Sequence, residues 1–273
     1  MIPWVADAEL LARLVPLYGE VQPMNTHSSD VSDAFLSNLI GDCHPGRLDC
    51  DPAVFVGCWL SESGLSPRAQ NKEALASGFF QAMPAILRGM GFKGDVQYTE
   101  PPGAFVEAKR ENDKARMRAL DQALADAFCR LSLEVQLVWA YRYYRPHSGK
   151  LVNPGACYAA NFVPAWIEHA STPTWIICAK DGRSDGGLTP ERSEEWFREN
   201  AGLDVDGDGA ITMGDLAAKA ERSAATPRGQ ELLARLNALR ADQLPEETQP
   251  DLSAEIAELQ ALAAEPPPLD DAS

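Results

Sequence analysis

Apolar residues along this chain recur at helical rather than strand spacing. Leu10, Leu11, Leu14 and Val15 share one face of a segment from Asp7 to Tyr18. A polar stretch containing Ser and Asp follows, and then Asp51-Pro52 supplies an N-cap with proline in the first turn. That pairing predicts a helix running to about Leu60. Residues 61–83 read as loop, punctuated by Gly64, Pro67 and Gly78, and Pro84 opens a short helix to Met90. Residues 104–145 form the strongest helical stretch, two helices with a break near Leu131-Ser132. A loop rich in Gly, Asn and Pro at 146–155 precedes a last core helix through about His169. Thr189-Pro190-Glu191 caps a helix to about Asn200, and further helices are predicted at 213–222 and 228–241. Leu252, Ile256, Leu259 and Leu262 place another over 251–264. No run alternates as a strand should, so the expected fold class is mainly α.

Composition shifts to Gly, Asp and Ser between Lys180 and Gly187, which marks a boundary. Four parts follow: an N-terminal helical extension (1–50), a central domain (51–180), a helical region (188–241), and an amphipathic helix with a disordered acidic tail (242–273). The net charge of -16 is unevenly spread: residues 51–180 carry 14 basic and 12 acidic side chains, whereas 181–273 carry 8 and 21. Acidic ends argue against nucleic acid as a partner, and the central part alone escapes repulsion by an anionic polymer. No stretch approaches the ~20 apolar residues of a membrane span. The opening Met1-Ile2-Pro3-Trp4-Val5-Ala6-Asp7 lacks the basic and apolar regions of a secretory signal, so none is expected. The six cysteines lack paired CxxC spacing; Cys58, Cys129 and Cys178 read as core residues. Cys43, His44, Cys50 and His27 could gather a metal, and Cys43 with Cys50 a disulfide in an oxidising compartment; free thiols are the expectation.

The chemistry concentrates around Glu62. Phe55, Cys58 and Trp59 precede it by seven, four and three residues, so they share its helix face. A carboxyl beside such side chains is desolvated and stays protonated toward neutral pH, as protonation of a glycosidic oxygen requires. The same glutamate could equally be a solvent-facing residue at a helix end.

Two segments bear on that choice. Glu62-Ser63-Gly64-Leu65-Ser66-Pro67-Arg68-Ala69 is followed by Gly78-Phe79-Phe80-Gln81-Ala82-Met83-Pro84. Together they resemble the lysozyme-like lytic transglycosylase family, with the patterns Glu-Ser-Gly-Leu-x-Pro-x-Ala and Gly-Leu-x-Gln-x-Met-Pro; Phe79 stands where leucine is usual. The resemblance covers about residues 50–170. It implies a lysozyme-like helical fold and cleavage of the β-1,4 bond between N-acetylmuramic acid and N-acetylglucosamine in peptidoglycan. Glu62 would be the general acid and then the base, Ser63 would support the glutamate or the sugar N-acetyl group, and Gln81 would bind substrate. A tyrosine near the acid is expected from Ala140-Tyr141-Arg142, where Arg142 replaces the family's asparagine, or from Cys157-Tyr158-Ala159. Tyr158 is the better match, since Asn161-Phe162-Val163-Pro164-Ala165 follows it as in phage members. Lytic transglycosylases use one carboxylate and the sugar's own C6 hydroxyl, whereas hydrolysing lysozymes generally use two. Glu73, Asp95 and Glu100 are the candidates for a second.

A wall-cutting enzyme without a secretory signal needs another route to its substrate. A phage virion supplies one, with the chain's ends attached to tail or baseplate proteins after synthesis in the host cytoplasm. An endolysin or injected antibacterial effector with hydrolytic muramidase activity is the alternative; an inactive structural virion protein is a further one.

A second motif lies in the acidic part. Asp204-Val205-Asp206-Gly207-Asp208-Gly209-Ala210-Ile211-Thr212-Met213-Gly214-Asp215 fits an EF-hand calcium loop, with Asp at positions 1, 3 and 5, Gly at 6 and an apolar residue at 8. The expected ligands of a structural Ca2+ are Asp204, Asp206, Asp208, the Ala210 carbonyl, Thr212 through water, and Asp215. Aspartate in place of glutamate at position 12 resembles dockerin loops.

Overall fold

The computed structural model describes residues 31–95 and 97–243. The helices predicted at 7–18 and 251–264, and the proline-rich acidic end, lie outside these. The first described helix, α1 (Asp33–Cys43), falls where the sequence reading saw only polar chain. Its start is capped: the Ser32 hydroxyl accepts from the Phe35 amide at 3.0 Å, and Asp33 sits in the first turn, while Ser37 and Asn38 in its middle stay unburied. Phe35, Leu36, Leu39 and Cys43 are buried.

The next helix, α2 (Ala53–Ser63), begins where Asp51-Pro52 predicts, with Asp51 Oδ1 accepting from the Ala53 amide at 2.9 Å. Every residue from Val54 to Trp59 is buried, so α2 is a central helix enclosed by others. It continues a turn past Leu60 and stops at Gly64, whose left-handed φ of 63° turns the amide back onto Leu60 and Trp59. Glu62 therefore stands inside the last turn, and the loop begins at 64 rather than 61.

Pro84 starts α3 (Pro84–Gly89) as expected. Residues 104–145 hold three helices rather than two: α4 (Ala104–Arg110), α5 (Lys114–Cys129) and α6 (Leu133–Tyr144). The unforeseen break is at Asn112, with φ 55°, followed by Asp113, whose carboxylate caps Arg116. Asn153 caps α7 (Pro154–Phe162). Pro164 ends the α-helical path, so the last core helix expected through His169 is split, its second half a 3-10 turn, Pro164–His169.

Strands β1 (Ile176–Ala179) and β2 (Ala210–Thr212) correct the reading that the chain has none. They pair antiparallel, Cys178 opposite Ile211 and Ala179 opposite Ala210. At four and three residues they are too short to display alternation. Thr189 caps α8 (Pro190–Asn200), a 3-10 turn Ala201–Leu203 leads into the acidic loop, and α9 (Met213–Ala224) and α10 (Pro227–Gln243) complete the described chain.

Helix α2 packs against α7, α9 and α10, and α1 against α6 and α10. The approach of α9 is close because small residues face each other. A Cβ at Gly57 would lie 2.2 Å from the Ala220 carbonyl oxygen, and one at Gly155 2.9 Å from Ala217 Cβ. On α10, Arg235 bonds Asp33 at 2.6 Å and the Val31 carbonyl at 2.8 Å, and Arg240 reaches Asp51 at 3.1 Å. One apolar cluster runs through Leu39, Trp59, Tyr144, Cys178, Leu216 and Leu236. The change of composition at 180–187 is thus a turn in the chain and not a gap in the packing: residues 31–50 and 188–241 share the core of 51–180. No helix among the described residues is long and apolar enough to cross a membrane.

Candidate functional site

Glu62 is half-buried in the final turn of α2. Burial pushes its carboxyl above the ordinary carboxylate range, against the opposing pull of a hydrogen bond from Tyr158 and the positive charge of Lys219. Phe55, Cys58 and Trp59, which precede it on the same helix, are each at most 1% exposed. The Cys58 thiol is held protonated by burial and by the neighbouring Cys157 thiol, so it adds no charge near Glu62. A carboxyl with a raised proton affinity, partly open to solvent, can deliver a proton and later accept one.

Behind Glu62 a chain of polar contacts runs through the core. Trp59 Nε1 donates to the Tyr144 hydroxyl at 3.1 Å, which donates to Asn161 Oδ1 at 2.7 Å. Asn161 Nδ2 reaches the Phe80 carbonyl at 3.5 Å. This chain ties α2, α6, α7 and the segment of the second motif together. Phe35, Phe55, Trp59, Phe79 and Phe80 surround it, with Phe55 stacked on Trp59 at 4.6 Å.

The two motifs of the sequence meet through backbone contacts. The Ser63 hydroxyl lies 2.6 Å from the Phe79 carbonyl and 3.2 Å from that of Trp59, so it clamps the second motif to the end of α2. Gln81, with φ 54°, donates its amide to the carbonyls of Gly78 at 2.8 Å and Ala69 at 3.4 Å. Ser63 and Gln81 thus both hold the shape of the loop. Buried Gln136 on α6 completes the clamp, accepting from the Phe79 amide at 3.0 Å and donating to Pro67 at 2.8 Å and Phe128 at 3.0 Å. Gly78, with φ 74°, is required here, because a Cβ would meet Gln136 Oε1 at 2.4 Å.

Of the two candidate tyrosines, Tyr158 is the one close enough to Glu62 for each to shift the other's proton affinity. Tyr141 instead lies under the Arg47 guanidinium, 5.6 Å from the ring centroid, toward the α1–α2 connection. Tyr143, which sequence reasoning passed over, also feels Glu62, which with burial keeps the phenol protonated; its hydroxyl donates to the Ala160 carbonyl at 2.7 Å. Lys219 was missed as well, arriving from α9, far along the chain.

Two of the three candidate second carboxylates are committed elsewhere. Asp95 pairs with Arg130 at 2.7 Å, and Glu100 with Arg88 at 2.6 Å. Exposed Glu73 makes no ion pair among the described residues.

In the acidic loop, carboxylate oxygens of Asp204, Asp206 and Asp208 converge within 4.8 Å of one another. Asp204 also accepts from the amides of Gly207 at 2.8 Å and Gly209 at 3.0 Å, which turns the loop around it. Asp215 stands apart from this cluster. Its Oδ1 accepts from Val205 at 3.0 Å, and its Oδ2 from the Thr212 amide at 2.9 Å and hydroxyl at 2.6 Å. Asp215 and Thr212 thus form the capping box of α9. Ala210 lies in β2, where it pairs with Ala179 of β1.

All six cysteines are free, Cys43 and Cys50 in contact, and Cys129 is half-buried rather than fully in the core. His44 Nδ1 turns to the Pro45 carbonyl at 2.8 Å, and the only metal-competent cluster among the described residues is the aspartate triad. Comparison of the chain with protein-family models, curated proteins and solved structures finds no match.

Proposed function

We propose that this protein cuts the glycan strands of bacterial peptidoglycan, with Glu62 as the general acid and then the base, on a lysozyme-like helical scaffold. The observation that carries the reading is the setting of Glu62: a carboxyl raised by burial at the end of an apolar helix, with the Tyr158 phenol near enough to oppose that rise. Protonated Glu62 gives its proton to the glycosidic oxygen; the carboxylate left behind then accepts the proton of the attacking hydroxyl. Tyr158 orients the carboxyl and stabilises it once ionised. The clamp through Ser63, Gln81 and Gln136 keeps the second motif in register with the acid.

Asp95 and Glu100, two of the three candidate second carboxylates, are held by Arg130 and Arg88, which favours attack by the sugar's C6 hydroxyl and a 1,6-anhydro product over a two-carboxylate mechanism. The second reading, hydrolysis by a muramidase, rests on Glu73, whose carboxylate is outside any described ion pair. Calcium, in this reading, is structural: Asp204, Asp206 and Asp208 would hold it with the Ala210 carbonyl, a hard-oxygen set suited to the ion. Asp215, drawn into the capping box, contributes to the loop's shape.

The test is the release of soluble fragments from purified, labelled peptidoglycan. Wild type should release them and Glu62→Gln, with an unchanged circular dichroism spectrum, should not. Fragment release by Glu62→Gln equal to wild type removes the assignment.

A further inference from the structure

The connection between α1 and α2 brings two cysteines together. The Cys50 amide donates to the Cys43 carbonyl at 3.2 Å, and a hydrogen bond of this kind sets Cα atoms roughly 5.5 Å apart, as in paired strands. Disulfides span about 4.4–6.8 Å between Cα atoms, so the backbone already stands at bonding distance. The side chains converge as well, since the neighbouring Cys50 thiol and burial together hold the Cys43 thiol protonated.

The loop that carries the pair is held from several sides. Leu48 donates to the Asp42 carbonyl at 3.1 Å and Arg47 to that of His44 at 3.0 Å, and the buried Asp42 carboxylate pairs with Arg47 at 3.0 Å. From the connection after α6, the Gly149 amide donates to the Leu48 carbonyl at 2.9 Å and the Ser148 hydroxyl to that of Arg47 at 2.6 Å. Gly46 and Asp49 take left-handed φ values of 88° and 50°, which fold residues 43–50 back on themselves. The ends of the loop need not move to bring the thiols together.

The other cysteines are placed differently. Cys58 and Cys157 neighbour each other but are both 0% exposed, and Cys178 is equally enclosed. The Cys129 thiol donates to the Ala69 carbonyl at 3.5 Å. Cys50, by contrast, is half-exposed beside a Cys43 that is 3% exposed, so a reagent reaches this pair through Cys50.

We propose that Cys43 and Cys50 form a disulfide under oxidising conditions and so lock the start of α2 to the end of α1. The oxidant is itself a disulfide, that of a small thiol or of a thiol oxidoreductase. Cys50, as thiolate, attacks one sulfur of that disulfide, leaving a mixed disulfide; its proton goes to the first thiolate released. Cys43 then attacks Cys50 Sγ, and its proton goes to the second thiolate released. Two protein thiols are oxidised to one disulfide, and the oxidant is reduced to two thiols. The pair does not depend on glycan cutting; that reading adds only that peptidoglycan lies outside the reducing cytosol, where such oxidants persist.

The experiment incubates the full chain with oxidised glutathione, counts thiols after denaturation and maps linked peptides by mass spectrometry. Two of the six thiols should disappear, joined as Cys43–Cys50. Tm should rise by roughly 5–10 °C, as closing a short loop does in a chain of this size, and dithiothreitol should reverse the rise. Cys50→Ser should lose both responses, and Cys50→Ala is the second variant if the serine protein is unfolded. Six remaining thiols, a reaction that stops at glutathione on Cys50, a link mapped to Cys58 and Cys157, or a Cys43–Cys50 link that leaves Tm unchanged each overturns the inference. The assignment of Glu62 stands or falls separately, by fragment release.

Discussion

Replacing Gly57 by alanine probes the junction on which the account depends, the close approach of α9 to the helix that carries Glu62. In an open helix interior the change is favourable, since alanine exceeds glycine by about 0.8–1.0 kcal/mol in helix propensity. At Gly57 the new Cβ would lie 2.2 Å from the Ala220 carbonyl oxygen, 2.9 Å from its carbon and 3.2 Å from Ala224 Cβ. Two of these are backbone atoms that cannot swing aside, so α9 itself must move. Overpacking costs about 1–3 kcal/mol, and a rigid backbone obstacle puts this site at the upper end. The net expectation is a loss of about 2 kcal/mol, which lowers Tm by roughly 4–8 °C for a chain of this size. Gly41 in α1 is the matched control, because a Cβ there meets nothing within 4 Å. Gly41→Ala should gain about 0.5–1 kcal/mol. Thermal and urea unfolding of both variants decide the matter, and a Gly57→Ala protein as stable as Gly41→Ala would refute the packing.

The Glu62 carboxyl is raised above its ordinary 4.5 by burial, so the folded protein loses stability as pH climbs from that value through the folded one, and the loss is complete above it. Glu62→Gln should therefore raise Tm near neutral pH and leave it unaltered well below the ordinary carboxylate range; a lower Tm at neutral pH contradicts the burial argument. Calcium added to chelator-treated protein should raise Tm, with a stabilisation of about 2.7 kcal/mol at a hundredfold excess over Kd. No shift at saturating calcium removes the metal from the account.

Much of the site can be read from the chain because its parts are local. Glu62, Phe55, Cys58 and Trp59 share one helix face, and spacing alone places them together. The same spacing argument identifies Pro84 and Thr189 as helix starts. What escaped depends on distant contacts. The charge of Lys219 acts on Glu62 because Gly57 and Gly155 let α9 settle on α2 and α7, and nothing in the residues around Lys219 announces that. The short β1 and β2 exist through their pairing with each other, not through a pattern in either. Helix α1 escaped because Ser32 and Asp33 start it rather than break it, and Ser37 and Asn38 lie outside its buried face of Phe35, Leu36 and Leu39. The resemblance gives Ser63 a role supporting the glutamate or the sugar N-acetyl group and Gln81 one in binding substrate, yet their hydrogen bonds go to the carbonyls of Trp59, Phe79, Gly78 and Ala69. A motif identifies which residues matter more readily than what each one touches.

The central claim is that Glu62 alone supplies the proton transfers of glycan cleavage. Mass spectrometry of the fragments released from purified peptidoglycan tests it most directly. Wild type should release 1,6-anhydro-muropeptides, unchanged when Glu73 is replaced by Gln, and Glu62→Gln should release no fragments. Reducing-end products that vanish with Glu73→Gln would contradict it, as would anhydro products made by Glu62→Gln.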